Sequence, residues 1–403
     1  MDLHSDNVVV VIRQTQVGNI HLKGETVFSR AFKINSPSNR LELYKALEPF
    51  CALSTTRAVV ESTYNWYWLA DEFEKRNWNL RIADPSTVSQ AKKKYSDDWT
   101  DAEFLAEMVR INSIKSYEYL SKHKRAIRDL CRMRQEFVNL RAQPKITIAN
   151  LYVNQLGDRV KTNALVKAAY EALAENKPID SDAVISHFDD ENIRMRVAMY
   201  LKMIIFYDQQ IAELDERIES LMKPNAYSKL LQSIKGCGRI LSSVIASELG
   251  ENLDRFPSAK HFVSYSRLAP TSKLSNGKSK GESNAKNGNA YLSWAFTELA
   301  NLVVRFNPEA KAFYDRTFRR VKLRVKAIRI LAAKLARAIF KMLETGEVFD
   351  IKRCFAGWLM NRFIRTSLRP TSKASAGGVI HHRDLAPWIG LEVRRFTSDS
   401  SYC

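Results

Sequence analysis

Eight apolar residues between Glu191 and Met222, namely Val197, Tyr200, Ile204, Tyr207, Ile211, Leu214, Ile218 and Leu221, recur at alternating spacings of 3 and 4. That period marks a coiled-coil seam, a stripe that is covered only when a second helix lies along it. The second helix can belong to the same chain or to another copy, whereas a helix simply packed on its own domain shows a wider apolar face. Pro224 ends the element because proline cannot continue a helix. The seam divides the 403 residues into an N-terminal region at 1–150, a coiled-coil helical region at 151–225, a mainly helical region at 226–350 and a basic tail at 351–403 to which no role is assigned.

Ahead of the seam the pattern alternates. Asn7 to Arg13 and Thr26 to Ile34 are β-branched runs with Gly18 and Gly24 between them, which reads as a hairpin. Leu41 to Phe50 has helical spacing, and Arg57 to Glu61 is a short buried strand ending on an acid. A helix from Asn65 to Asn77, a strand from Leu80 to Ala83 and a helix after Pro85 follow. This α/β order suits an RNase H/RuvC-like domain.

Such a fold sets acids on its first strand, at the end of a later strand and on a helix, where they hold divalent cations against a phosphate. Asp2, Glu61, Asp98 and Asp101 are the residues on offer. Asp98 and Asp101, three apart at a helix start, face the same way. Helix capping accounts for that pair as well, since acids in a first turn complement the helix dipole.

Behind the seam, Leu230 to Ile240 reads as helix, hairpin, helix around Gly236 and Gly238, with Lys235 and Arg239 flanking the turn. Glycines there let backbone N–H groups meet an anion at a helix start, although a glycine-capped turn between helices explains the same residues without a ligand. The stretch from Thr271 to Asn289 is nearly free of apolar residues and carries Lys273, Lys278, Lys280 and Lys286. Its composition is that of a flexible linker, yet it lies between two patterned helices, where long loops are functional, and its lysines suit a phosphate backbone. Val321 to Leu343 places Val325, Ile328, Ala332, Leu335, Ile339 and Met342 on one face and Lys322, Arg324, Lys326, Arg329, Lys334, Arg337 and Lys341 on the other. So one-sided a charge run is expected to follow phosphates.

Charge agrees with that expectation. Sixty-three Lys and Arg against 44 Asp and Glu leave a net +19, which calls for a polyanionic partner, nucleic acid first. No run of about twenty uncharged apolar residues is present, so no membrane span is expected, and a cytoplasmic, nucleoid-associated location follows. The five cysteines are scattered and the seven histidines dispersed, which reads as reduced, structural thiols and no zinc site.

Gly236-x-Gly238, Glu248-Leu249-Gly250, Phe256-Pro257-Ser258, Leu268-Ala269-Pro270, Ser275-Asn276-Gly277 and Lys286-Asn287-Gly288-Asn289 resemble, in order and spacing, the C-terminal domain of the DEDD transposases of bacterial insertion sequences. This is the IS-one-ten family, related to Piv-type DNA invertases and guided by a bridge RNA. Val59-Val60-Glu61-Ser62, Asp98-x-x-Asp101-Ala102 and Asp2-Leu3-His4-Ser5 resemble its four acids. The resemblance implies a transposase that cuts and rejoins donor and target DNA, with Ser275 as nucleophile, Mg²⁺ held by Asp2, Glu61, Asp98 and Asp101, a helix-hairpin-helix at Gly236 and Gly238, and a homo-oligomer, dimer or tetramer, assembled through the seam. The family has serine directly before glycine, whereas Asn276 intervenes here, which keeps Ser272 and Ser279 as alternatives. It also has strand residues ahead of the first aspartate, whereas Met1 directly precedes Asp2 here, so either the start lies upstream or the edge that supports Asp2 is lost. His4 is expected to play an accessory or solvent-exposed role. The rivals are a metal-dependent RuvC-like nuclease using water and a non-catalytic nucleic-acid-binding remnant.

Overall fold

The computed structural model describes residues 1–15, 23–62, 64–83, 88, 97–114, 116–117, 119–222, 226–250, 253–254, 256–269, 274–275, 278–279 and 288–355. Its N-terminal part holds two small sheets. Strands β1 (Asp2–Leu3), β2 (Asn7–Gln14) and β3 (Glu25–Lys33) pair antiparallel in the order β1-β2-β3. The four consecutive valines of β2 are buried on both faces of the sheet. Val8 and Val10 enter a core with Leu43, Leu47 and Phe73, while Val9 and Val11 point to the opposite face. That two-sided cover is why the strand reads as a continuous apolar run rather than an alternating one.

In the second sheet β4 (Ala58–Glu61) runs parallel to β5 (Leu80–Ala83), and β6 (Ser116–Tyr117) pairs antiparallel with β5. Helix α1 (Pro37–Cys51) starts on the Ser36 cap with Pro37 at its first position, and α2 (Tyr67–Lys75) makes the β4-to-β5 crossover, burying Leu69, Ala70 and Phe73. β1 lies against β4, and the buried Met1 amino group donates to the Val59 carbonyl at 3.0 Å. Asp2 itself pairs with Val9 and is 5% exposed. The expected α/β order is present; β6 is an addition that two residues of sequence do not announce. Val88 is the described residue of the segment after Pro85, and the rest of that expected helix lies outside the described residues.

Helix α3 (Asp98–Arg110) leads to α4 (Lys122–Leu156), α5 (Thr162–Ala174) and α6 (Glu191–Leu221). α4 and α6 pack antiparallel: Arg134 pairs with Asp215, Arg141 with Asp208, and the Phe137 and Tyr207 rings meet at 5.8 Å. The seam is therefore covered by α4 of the same chain, one of the two arrangements that its period allows. Val197, Ile204, Ile211 and Ile218, seven apart, are its buried members, and Tyr200, Tyr207, Leu214 and Leu221 are half-buried. Near the hairpin tip Ile148, Leu151 and Tyr152 of α4 share a core with α5 and with Val197 and Leu201 of α6.

The C-terminal core is built from α7 (Ala226–Gln232), α8 (Arg239–Leu249), α9 (Ala259–Tyr265), α10 (Ala290–Phe306), α11 (Pro308–Val321) and α12 (Arg324–Thr345). Every residue of α8 from Leu241 to Leu249 is buried, which makes it the axis the others surround. Burial pushes the Cys131 and Cys237 thiols up to about 11 and about 12, as inert core residues. No helix among the described residues is long and apolar enough to cross a membrane.

Candidate active site

Asp2, His4 and Asp98 come together at the N-terminal end of α3. His4 Nε2 lies 3.0 Å from Asp2 Oδ2 and 3.3 Å from Asp98 Oδ1. One ligand atom from each of the three falls within 4.8 Å of the others. A tight turn between β1 and β2 sets His4, its N–H donating to the Asn7 carbonyl at 2.9 Å. Glu61 closes β4 and Asp101 follows Asp98 by about one turn of α3, but neither belongs to that three-residue set. His4, two residues after Asp2, joins the two aspartates with its side chain 42% exposed.

Capping of α3 falls to Asp97, not to the Asp98–Asp101 pair. The Asp97 carboxylate accepts from Thr100 N at 2.8 Å, and Thr100 Oγ1 accepts from Asp97 N at 2.8 Å. The bond from the Thr100 backbone first, and then that from the Thr100 hydroxyl at 2.8 Å, hold the Asp97 carboxyl below its usual range. With the cap supplied one residue earlier, Asp98 is a first-turn acid that complements the helix dipole, and its side chain is 47% exposed and turned to His4.

Two sets of contacts fix α3 over the sheets. Ala102, fully buried, packs on Val9 and Val11 of β2, and Leu105, also fully buried, packs on Val59 of β4 and Ala83 of β5. Arg13 of β2 then reaches across, its guanidinium donating to Glu103 at 2.9 Å and to Glu107 at 3.2 Å. Glu107 also accepts from Arg110 at 2.7 Å and from Gly24 N at 3.4 Å. The bond from Arg110 and then that from Arg13 outweigh burial and hold the Glu107 carboxyl down at about 2. This clamp, spanning 94 residues of sequence, had no signature in the local pattern.

In the C-terminal core, Gly236 takes φ +109, and a Cβ there would stand 3.3 Å from Leu302 and Phe306, so this glycine is required by a close approach to α10. Gly238 caps α8 and has open space beside it. Lys235 is exposed, whereas Arg239 pairs with Glu219 of α6. The predicted turn forms; of its two cations, one already has an acidic partner.

Ser275 stands on β7 (Leu274–Ser275), paired antiparallel with β8 (Lys278–Ser279), Ser275 opposite Lys278 and Leu274 opposite Ser279. Asn276 and Gly277 lie outside the described residues. Ser272, Lys273, Lys280 and Lys286 lie outside the described residues.

The stems on either side are closely held. Arg267 Nε donates to the Gly288 carbonyl at 2.8 Å, and Asn289 N donates to the Tyr265 carbonyl at 2.6 Å. Gly288 has φ +97, and a Cβ on it would lie 2.3 Å from that same carbonyl. Asn289 caps α10, accepting from Leu292 N at 3.0 Å, and donates to the buried Glu248 at 2.6 Å. Glu248 receives both arms of the Arg132 guanidinium from α4, at 2.7 and 2.9 Å. Burial disfavours the Arg132 charge, but the Glu248 carboxylate outweighs it and keeps the guanidinium protonated. Glu248 and Gly288-Asn289 are thus the anchors of the loop that carries Ser275.

The expected phosphate rail along Val321 to Leu343 is corrected in part. Lys334 sits over the Phe313 and Phe355 rings at 5.6 and 5.5 Å, Arg329 donates to the Arg267 carbonyl, and Lys341 pairs with Glu344. Val325, expected on the apolar face, is 66% exposed.

Residues 228–315 match the model of the transposase IS116/IS110/IS902 family. The chain is similar to the uncharacterized 43.6 kDa protein of insertion element IS110 from Streptomyces coelicolor, 30% identical over 142 residues, 35% of each chain. It is also similar to the uncharacterized 42 kDa protein of insertion element IS900 from Mycobacterium paratuberculosis, 24% identical over 153 residues, 38% of each chain. A protein of Pseudomonas aeruginosa named as a probable family 20 transposase is 22% identical over 248 residues, 59% of this chain and 68% of that one. The match thus spans about a third of the length of the insertion element IS110 relative, 35%.

Proposed function

We propose that the chain, whose residues 228–315 match the transposase IS116/IS110/IS902 family, is the transposase of an insertion sequence of that family and that it cuts and rejoins DNA with Ser275 as nucleophile. The single observation that carries the reading is the meeting of Asp2, His4 and Asp98 on β1 and α3. In this reaction the Ser275 hydroxyl oxygen forms a bond to a DNA phosphorus as a backbone P–O bond breaks, and the departing sugar oxygen takes the proton. The bond energy stays in the phosphoserine link, so no nucleotide triphosphate is needed.

The donor set fits a divalent cation. Two carboxylates from separate elements supply hard oxygens of the kind Mg²⁺ takes, and the His4 imidazole also admits Mn²⁺. Asp2 and Asp98 would hold the ion, with Glu61 and Asp101 on the adjoining elements, and when bound it would offset negative charge on the scissile phosphate. The arrangement of β1 against β4, with β2 and β3 beyond β1 and with β5 and β6 beyond β4, supports the RNase H/RuvC-like reading of this part. A guide RNA fits a chain with net +19, because base pairing to the RNA would select the target while the protein reads backbone and shape.

The test is to incubate the chain with DNA, RNA and Mg²⁺, denature, and look for DNA attached to protein. Ser275→Ala is expected to lose the adduct and keep DNA affinity. Asp98→Asn is expected to lose strand cleavage together with Mn²⁺ binding measured by relaxation enhancement. An adduct that survives Ser275→Ala would move the nucleophile to Ser272 or Ser279. Cleavage without any adduct would favour a nuclease that uses water.

A further inference from the structure

The corner between α11 and α12 concentrates positive charge, and three of its cations, Lys322, Arg324 and Lys326, open the charged face of the stretch from Val321 to Leu343. Arg316, Arg319, Arg320, Lys322, Arg324 and Lys326 fall within one reversal of the chain. Lys322 makes the reversal in the left-handed region, φ +53, and Leu323 caps α12. Arg319 and Arg320, in the last turn of α11, complement its dipole and need no further account. Arg324 and Lys326 are different: they stand in the first turn of α12, where positive charge opposes the dipole and no acid is present. No acidic side chain among the described residues pairs with Arg320, Lys322, Arg324 or Lys326. Three apolar side chains share the corner in the open, Phe318 at 40%, Leu323 at 57% and Val325 at 66% exposure.

We propose that this corner docks on duplex DNA, its cations taking phosphates on either side of a groove and Leu323, at the apex, pressing between base steps. The inference rests on the DNA partner of the proposed function and adds the surface that grips it. Unpaired cations at a helix N-terminus are stabilised by an external anion, and phosphates spaced along two strands supply several at once. Cations flanking an exposed apolar side chain are the composition with which groove-binding proteins kink a duplex. The chain's own last segment is a poor occupant, because Arg362, Arg365, Arg369, Lys373, Arg383, Arg394 and Arg395 outnumber its acids Asp384, Glu392 and Asp399.

The test uses the full chain and a fluorescently labelled duplex of about three helical turns, titrated between 50 and 200 mM salt. Arg324→Gln with Lys326→Gln is expected to weaken binding and to lower the slope of log affinity against log salt by about 1.8, two phosphates at about 0.9 each. Leu323→Ala is expected to leave the slope unchanged while reducing the end-to-end energy transfer that reports a bend. All three positions are exposed, and unchanged thermal melting of the variants confirms that folding is intact. An unaltered slope in the double variant, with the parent binding normally, overturns the inference and leaves the transposase reading standing. Variants that lose affinity only for a hairpin RNA, or only for phosphatidylserine vesicles, also overturn it. A parent chain that binds no DNA overturns the transposase reading and this inference with it.

Discussion

Asp98 and the Ser275 loop are both held by tethers between residues far apart in sequence, but the tethers differ in kind. α3 is pinned by ion pairs open to solvent on one side: Arg13, 4% exposed at its side chain, reaches Glu103 and Glu107, 90 and 94 residues away and 46% and 18% exposed. The loop stems are pinned by a buried polar node, in which Glu248, 2% exposed at its side chain, joins Arg132 and Asn289. An ion pair whose acid meets solvent responds to salt and pH, whereas a pair whose acid is buried contributes little net stability but is costly to break on one side. The acids should therefore be adjustable by conditions and the loop stems by mutation.

Removing one partner from the buried node gives the largest effect. Glu248→Ala leaves Arg132 and the Asn289 amide without their acceptor, and about 3–5 kcal/mol of stability should be lost, read as a lower urea midpoint with loss of adduct formation. A smaller loss would mean that water reaches the node and that the contrast with α3 is false. Gly288→Ala comes next: positive φ and the Cβ clash with the Tyr265 carbonyl should cost about 1–3 kcal/mol, with Mn²⁺ binding at the acids unchanged. Asp97→Ala removes the α3 cap at a smaller cost than either, and here the order reverses: metal affinity should fall while the C-terminal core melts as before in hydrogen exchange.

The smallest effect at neutral pH is titration of Glu107. Its carboxyl is depressed from the usual 4.5 to about 2 by Arg110 and Arg13, so its contribution is complete above about 4.5 and disappears as pH falls through 2. Far-UV and hydrogen-exchange signals from α3 should weaken in that window, and Glu107→Gln should remove the pH dependence. Loss of the loop stems at the same pH would show that the two tethers are coupled.

Legibility followed the same division. Features with a local period or a local chain reversal were readable: the β2–β3 hairpin from its valines, the strand ending at Glu61, the helices of the C-terminal core, and the turn at Gly236 and Gly238. The identity of the helix covering Val197 to Leu221 was not, because a stripe states that it needs a partner without naming one, and α4 carries its matching residues among many charges. Arg13, Glu107 and Arg132 were invisible as tethers, since a charged residue looks the same on a solvated face as in a clamp. Asp97 was missed for a different reason: among three aspartates within five residues, only backbone geometry says which one caps the helix. The cationic rail along α12 was read correctly as a charge pattern, but Lys334 shows that a long side chain can lie across aromatic rings instead of reaching outward.

One consequence of α4 is mechanical. At 35 residues the helix is a beam about 50 Å long at 1.5 Å per residue. It is bolted to the N-terminal part through Arg125 and Asp71, to the C-terminal core through Arg132 and Glu248, and to α6 through Arg141 and Asp208. The first two bolts stand about two turns apart, so the span between the acidic part and the loop stems is short and stiff, and displacing one should carry the other with it. Beyond Arg141 the beam has a compliant point, because Pro144 lies within it and has no N–H to give to the preceding turn. A load applied at the hairpin tip should bend α4 there, which faster amide exchange at residues 140–148 than at 125–135 would register, and uniform exchange along the helix would refute.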